Sequence, residues 1–461
     1  MTATIPDAGR AATTATTSAA ARELPPVERR AVLPAGFRAA GHAAGIKASG
    51  RPDLALVATT DGPAAVAAVF TPNAFAAAPV RRSRANLAAT SGDPRGGFGW
   101  GRAIVSTSGS ANAATGASGD ADQVEVGRLV ATRLAVEETH VLHLSTGVIG
   151  TRLPLDRVAS GLDALIPRLT TEDAGLEAAA TALRTTDSVT KLATTMVDIG
   201  GLPVTVSGIA KGVGMIHPNM ATMLSIVLTD AAVEPAVLYG LLRPAAARTW
   251  DQLSVDGDTS TNDTVFVLAS GAAAHPTIAA GSEAAIALGT AIESIARDLA
   301  RQQAADGEGA TILVTATVTG AVDDADARAI ARAVVSSSLV KAAAHGKDPN
   351  WGRIAGAAGN AVTASQAVLE ASGLSPAEAA ARAGQPARLD PERLRIRIAG
   401  HLVFDGGQGG PVAFDRAAAR AAMEAAELRI ELDLGLGDGA GEAFGCDLTE
   451  AYVIENSEYT T

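Results

Sequence analysis

The chain has 461 residues, 47% of them hydrophobic and 3% aromatic, enough for a sizeable core and for two or three domains. Aspartate and glutamate number 49 against 37 lysines and arginines, and the net charge of −12 disfavours nucleic-acid binding while leaving small amino-acid or acyl substrates open. A single cysteine, Cys446, excludes an internal disulfide and a cysteine-rich zinc site, and no uncharged apolar run reaches bilayer length, so the chain reads as cytoplasmic with no membrane part.

The first 30 residues are rich in Ala, Thr and Arg and lack the apolar stretch of a secretory signal. Their Arg and Thr content faintly resembles an organelle transit peptide, against which Asp7, Glu23 and Glu28 count. Residues 1–32 are therefore expected to be a disordered tail, because so little apolar surface cannot offset the entropy of ordering. Ordered structure is expected from Leu33. Runs rich in Val, Ile and Thr predict strands at 54–59, 66–70, 103–106, 141–145, 202–207 and 222–229. Further strands are expected at 264–268, 311–317, 394–398 and 428–434. Long alanine-rich stretches with recurring apolar positions predict helices at 122–138, 171–184, 235–250, 282–304, 324–345 and 416–427. Strands come singly or in pairs between helices, without a regular βαβ repeat. That favours an α+β fold of sheets layered with helices over a doubly wound parallel sheet.

One stretch concentrates unusual chemistry: KGVGMIHPNMATML at 211–224. Pro218 and Asn219 favour a turn, and Ala221 leaves the next peptide bond sterically open. A threonine opening a strand is ordinarily a β-branched filler. At Thr222, however, the hydroxyl can attack the Ala221 carbonyl and pass through an ester to a cut chain. The freed amine of Thr222 then serves as base to its own hydroxyl. Acyl transfer also needs donors for the developing oxyanion, and HLSTGVIG at 143–150 offers the Thr146 hydroxyl and the Gly147 N–H, or else a simple turn. Lys211 is placed to bind a carboxylate or steady negative charge, unless it is a solvated surface lysine. Glu308, in DGEGATIL at 306–313, is placed to receive a substrate ammonium, unless it is an exposed turn carboxylate.

Other signals fail on inspection. DGDTSTND at 256–263 resembles a calcium loop, but Thr261 stands where the glycine belongs and Val267 where the bidentate glutamate belongs, so it reads as a polar turn beside a site. FDGGQGGP at 404–411 lacks the Lys-Ser/Thr of a phosphate-binding loop. The histidines show no metal-ligand pattern; His140 and His143 lack a third ligand.

GIAKGVGMIHPNMATML closely resembles the self-cleavage motif of the ornithine acetyltransferases, the ArgJ family. GFRAAGHAAGIKASGRPDLALV, STGVIG, TTDS at 185–188, DGDTSTNDT, HGKDPNWGRI at 345–354 and the terminal ENSEYTT resemble further family segments in the same order, from about Leu33 to Thr461. The resemblance implies a layered fold of the DmpA/ArgJ type and a precursor cut between Ala221 and Thr222. An α chain ending at Ala221 and a β chain starting at Thr222 would stay in one fold and assemble as a heterotetramer.

It further implies Thr222 as the nucleophile and Thr146 and Gly147 as the oxyanion hole. Thr185 (or its neighbour Thr186), Lys211, Thr222, Glu308, Asn456 and Thr461 would contact substrate, with the C-terminal tail closing over the pocket. The implied reaction is ping-pong: N2-acetylornithine acetylates Thr222, ornithine leaves, and glutamate takes the acetyl group, in arginine biosynthesis. Some members also take acetyl-CoA as donor; no cofactor or metal is implied.

Departures from the family pattern are Thr107 and Ser110 where asparagines are usual, Glu450 where a tyrosine is expected, Glu455 before Asn456, and a loop at 91–101 that looks inserted. The alternatives are an N-terminal-nucleophile amidohydrolase or peptidase, in which water resolves the acyl-enzyme, and an inactive amino-acid-binding paralogue.

Overall fold

The computed structural model describes residues 24–217 and 223–457. Three sheets carry the architecture. The four-stranded sheet has the order Phe37–His42, Leu54–Thr59, Ala103–Ser110, Val141–Val148. The six-stranded sheet runs Phe98–Gly101, Ala64–Phe70, Thr264–Ala269, Leu224–Thr229, Leu202–Lys211, Lys191–Ile199. The seven-stranded sheet runs Leu253–Ser254, Gly439–Cys446, Leu313–Ala321, Glu427–Asp433, Arg395–Ile398, His401–Asp405, Gly410–Pro411. Each sheet mixes parallel and antiparallel neighbours, so the fold is α+β rather than doubly wound.

Strand alternation sets the layers. Ala65, Ala67 and Val69 face one way, toward the helices Pro235–Arg248 and Glu283–Ala305. Val66, Ala68 and Phe70 face the other way and share a core with Ala55, Val57, Ile104 and Leu144 of the four-stranded sheet. The far side of that sheet, through Leu54, Leu56 and Val105, is covered by Val126 and Val130 of Gly116–Leu134 and Val158 and Leu162 of Leu155–Leu165. The result is a helix–sheet–sheet–helix stack. Phe266 meets Phe70 edge-on, ring centroids 5.9 Å apart, and burying each such ring contributes about 1.5–3 kcal/mol. Helix Glu283–Ala305 presents Ala291, Ala296 and Ala300 to the core, and such short side chains let it lie close to the strands. Leu313 and Phe444 of the seven-stranded sheet join the same cluster.

Several expectations are corrected. Residues 24–32, expected in a disordered tail, lie along the six-stranded sheet: Glu28 exchanges backbone hydrogen bonds with Thr194, and the Pro25 and Pro26 carbonyls accept from the Ser294 and Thr195 hydroxyls. The expected helix 324–345 is two helices, Asp324–Ser336 and Ser338–His345, because Ser337 is extended and its hydroxyl caps Val340. The helix expected at 416–427 stops at Ala422, since residues 427–433 alternate buried and exposed as a strand between two neighbours. The 91–101 segment contains a strand, Phe98–Gly101, paired with Ala64–Ala67.

Candidate active site

Two neighbouring parallel strands, Ala103–Ser110 and Val141–Val148, bring Thr146 and Gly147 to a common end. Gly147 has φ 129°, and a Cβ there would sit 2.4 Å from the carbonyl carbon of Gly109, so no side chain fits. Thr107 bonds the Ser145 hydroxyl at 2.8 Å, and Ser110 donates to the Thr151 carbonyl at 2.8 Å. Both short side chains pin this strand end. Asn262 adds to it, donating to the Ala111 and Ser145 carbonyls at 2.7 and 2.8 Å.

Lys211 ends the strand Leu202–Lys211 and is buried, 3% exposed. Its Nζ donates to the Thr146 hydroxyl at 3.2 Å. Burial pushes its pKa below the ordinary lysine value, and the Asp187 carboxylate opposes that push. Asp187 itself is the hub of the cluster. One carboxylate oxygen accepts from the Gly212 N–H at 2.8 Å and from Lys191 Nζ at 2.7 Å; the other accepts from the Thr185 N–H at 3.0 Å. Lys191, wholly buried, also donates to Asp306 at 2.6 Å. Burial works to raise the Asp187 carboxyl, but the ammoniums of Lys211 and Lys191 and the Gly212 N–H outweigh it and hold it well below the usual carboxylate range. A single carboxylate thus ties the turn at Thr185 and Thr186 to the end of the Lys211 strand.

Glu308 faces this assembly from the turn before strand Leu313–Ala321. Its two oxygens accept from the Thr186 hydroxyl at 2.9 Å and from Asn456 Nδ2 at 3.0 Å. Gly214 lies so close that a Cβ there would come 2.2 Å from Glu308 Oε2. Asn456 is delivered by the helix Glu450–Ser457, anchored by the Thr449 hydroxyl on the Gly309 carbonyl at 2.7 Å. The tail therefore reaches the site at Asn456.

These groups enclose one cavity of about 380 Å³. Thr146, Gly147, Thr185, Lys211, Glu308 and Asn456, singled out separately in the sequence, all line it, as does Thr186. Ala221, Thr222 and Thr461 lie outside the described residues. Met223, next in the chain to Thr222, is buried, with its N–H on Asp263 at 3.0 Å. The Asp187–Lys191–Asp306 cluster was not found from sequence, although Asp187 belongs to TTDS and Asp306 to DGEG. His143 is a core residue: its Nδ1 meets the Gln123 amide at 2.8 Å, and burial pushes its pKa down to about 3. Among the described residues no group of three His, Cys, Asp or Glu side chains is placed to hold a metal, and no helix is long and apolar enough to cross a membrane.

A lysine-backed threonine hydroxyl beside a substrate-sized cavity, with a carboxylate on the other wall, can stabilise an oxyanion and hold an ammonium; this is the equipment of an acyl-transfer centre. The ArgJ family model matches residues 38–461, and the chain belongs to the ArgJ family. It is 42% identical over 444 residues to the arginine biosynthesis bifunctional protein ArgJ of Synechocystis, covering 94% of this chain and 98% of that one. Among solved structures it is similar to the arginine biosynthesis bifunctional protein ArgJ of Bacillus halodurans, at 37% identity and a TM-score of 0.44, covering 51% of this chain and 99% of that one. The ornithine acetyltransferase of Mycobacterium tuberculosis complexed with ornithine is 38% identical, with a TM-score of 0.37, covering 42% of this chain and 98% of that one.

Proposed function

We propose that the protein is a self-processing acetyltransferase that moves the acetyl group of N2-acetylornithine to glutamate through acetyl-Thr222, in arginine biosynthesis. Membership of the ArgJ family supports this. The observation that carries it is the convergence of Thr146, Gly147, Lys211, Thr185, Glu308 and Asn456 on one cavity, in contact with the segment that leads to Thr222. In the first half-reaction Thr222 Oγ attacks the acetyl carbonyl. Thr146, with Lys211 behind it, and the Gly147 N–H meet the oxyanion. The amide C–N bond breaks, and the hydroxyl proton passes by way of the Thr222 amine to the departing ornithine nitrogen. Glutamate then enters with its amine neutral and reverses the steps. Glu308 takes a substrate ammonium.

The processed chains are 1–221 and 222–461. In the six-stranded sheet, Leu224–Thr229 lies between Leu202–Lys211 and Thr264–Ala269, and Thr264–Ala269 pairs in turn with Ala64–Phe70. Strands from both sides of the cut are interleaved, so the halves stay together after it. A cytoplasmic heterotetramer of two such pairs, and acetyl-CoA as a second donor, belong to the same proposal.

The test begins with intact masses of the protein and of Thr222→Ala, then acetyl transfer to labelled glutamate. Two fragments meeting at Ala221/Thr222, an uncut variant and glutamate-dependent transfer are expected. Acetylornithine hydrolysis indifferent to glutamate would instead make the protein an amidohydrolase.

A further inference from the structure

The loop 256–263 lines the cavity with Ser260, Thr261 and Asn262, but its two end aspartates do something different. Asp256 accepts from the backbone N–H groups of both Met215 and Ile216, one on each carboxylate oxygen, the latter at 2.8 Å. Asp263 accepts from the Met223 N–H at 3.0 Å. Backbone bonds reinforce both grips: Val255 N–H to the Ile216 carbonyl at 2.7 Å and Thr264 N–H to the Met223 carbonyl at 3.1 Å. Met215 is held at φ 54°, a conformation that a bulky side chain keeps only when its surroundings impose it. One loop therefore grips the chain on both sides of residues 217–222, the stretch that contains the Ala221–Thr222 peptide.

We propose that Asp256 and Asp263 are positioning residues for self-cleavage, clamping the two flanks of the Ala221–Thr222 peptide so that the Thr222 hydroxyl meets the Ala221 carbonyl. This rests on the reading that the chain cuts itself there. In that step Thr222 Oγ bonds to the Ala221 carbonyl carbon, the C–N bond breaks, and the Thr222 nitrogen takes the hydroxyl proton. Water then hydrolyses the ester, leaving an Ala221 carboxylate and a free Thr222 hydroxyl. Holding both ends of a short segment makes the attack an oriented intramolecular event.

The two aspartates differ in which oxygens they use. Asp256 uses both oxygens as acceptors, and asparagine offers only one. Asp263 uses one; its Oδ2 has no hydrogen-bond partner among the described residues.

The experiment follows cleavage of the full chain by intact mass from the moment of cell-free synthesis. Asp256→Ala, Asp256→Asn and Asp263→Ala are each expected to slow cleavage at least about tenfold. The same substitutions placed on Thr222→Ala report the melting of the uncut precursor and separate misfolding from slow chemistry. Should Asp256→Ala fail to fold, Asp256→Glu, which keeps two acceptors on a longer arm, is expected to cleave faster than Asp256→Asn. Folded Asp256 variants, or a folded Asp263→Ala, that cleave at the parent rate would overturn the clamp, as would equal rates for Asp256→Glu and Asp256→Asn. An uncut parent protein would overturn the self-processing reading itself.

Discussion

Lys211 and Thr146, 65 residues apart in sequence, meet inside the protein with the ammonium donating to the hydroxyl at 3.2 Å. The contact leaves the Thr146 hydroxyl proton free to point into the cavity, because the oxygen is already serving as acceptor. In the proposed reaction, the buried positive charge behind it strengthens that donor where oxyanion charge would develop. Thr146→Val and Lys211→Met should each lower kcat by about 10²–10³ with little change in KM. The double variant should be little worse than the poorer single one, since the two act as a unit. Steady-state kinetics of acetyl transfer checks this.

The same pair makes a pH prediction. Burial lowers the Lys211 pKa from the ordinary lysine value. The ammonium is present below its own pKa and lost above it, so kcat should fall as pH rises, at a midpoint below that of a free lysine. In Lys211→Arg, whose guanidinium keeps its charge, that falling limb should move to higher pH. A pH profile of kcat for the two proteins decides it.

Glu308 is held by one donor on each oxygen, from Thr186 and Asn456. Replacing it with glutamine removes the charge that, in the proposed function, receives a substrate ammonium. Glu308→Gln should raise KM for the amino-acid substrate by about tenfold or more, given about 1.5–3 kcal/mol for a charged hydrogen bond, and should change kcat less. Asn456→Ala should move KM in the same direction by a smaller factor. Initial rates across substrate concentration distinguish the two effects.

Asp187 shares the wholly buried Lys191 with Asp306. Asp187→Ala leaves that ammonium with a single carboxylate and should destabilise the protein by about 3–5 kcal/mol, read as a lower denaturation midpoint. Because the folded Asp187 pKa lies below its unfolded value, its contribution is present above about pH 4 and lost as pH falls below that. The parent protein should therefore lose stability in acid more steeply than Asp187→Ala.

Local pattern and motif spacing carried much of the structure into view from the sequence. The strand expected at 54–59 is the strand Leu54–Thr59, and the strands at 264 and 428 start within a residue of expectation. Those runs are β-branched and bounded by turn residues, so the information is local. The strand Gly439–Cys446 escaped notice because GAGEAFGC contains no β-branched residue; two flanking strands make it a strand. Likewise 24–32 carry too little apolar surface to order alone, and the edge of a sheet orders them.

By itself, then, the sequence determined the helices and strands with a clear period and set out the short stretches around Thr146, Lys211, Thr222 and Glu308 as candidates for chemistry, because periodicity and residue spacing are properties of neighbouring residues. Only the tertiary structure decided that Lys211 backs Thr146, that Asp187 joins the Thr185 turn to the Lys211 strand, and that Asp256 and Asp263 hold both flanks of 217–222. Most of these contacts join segments tens of residues apart, and even Thr185 to Asp187 shows no period in the chain. They exist because burying a charge or a backbone N–H requires a partner, and the packed layers determine which one is near.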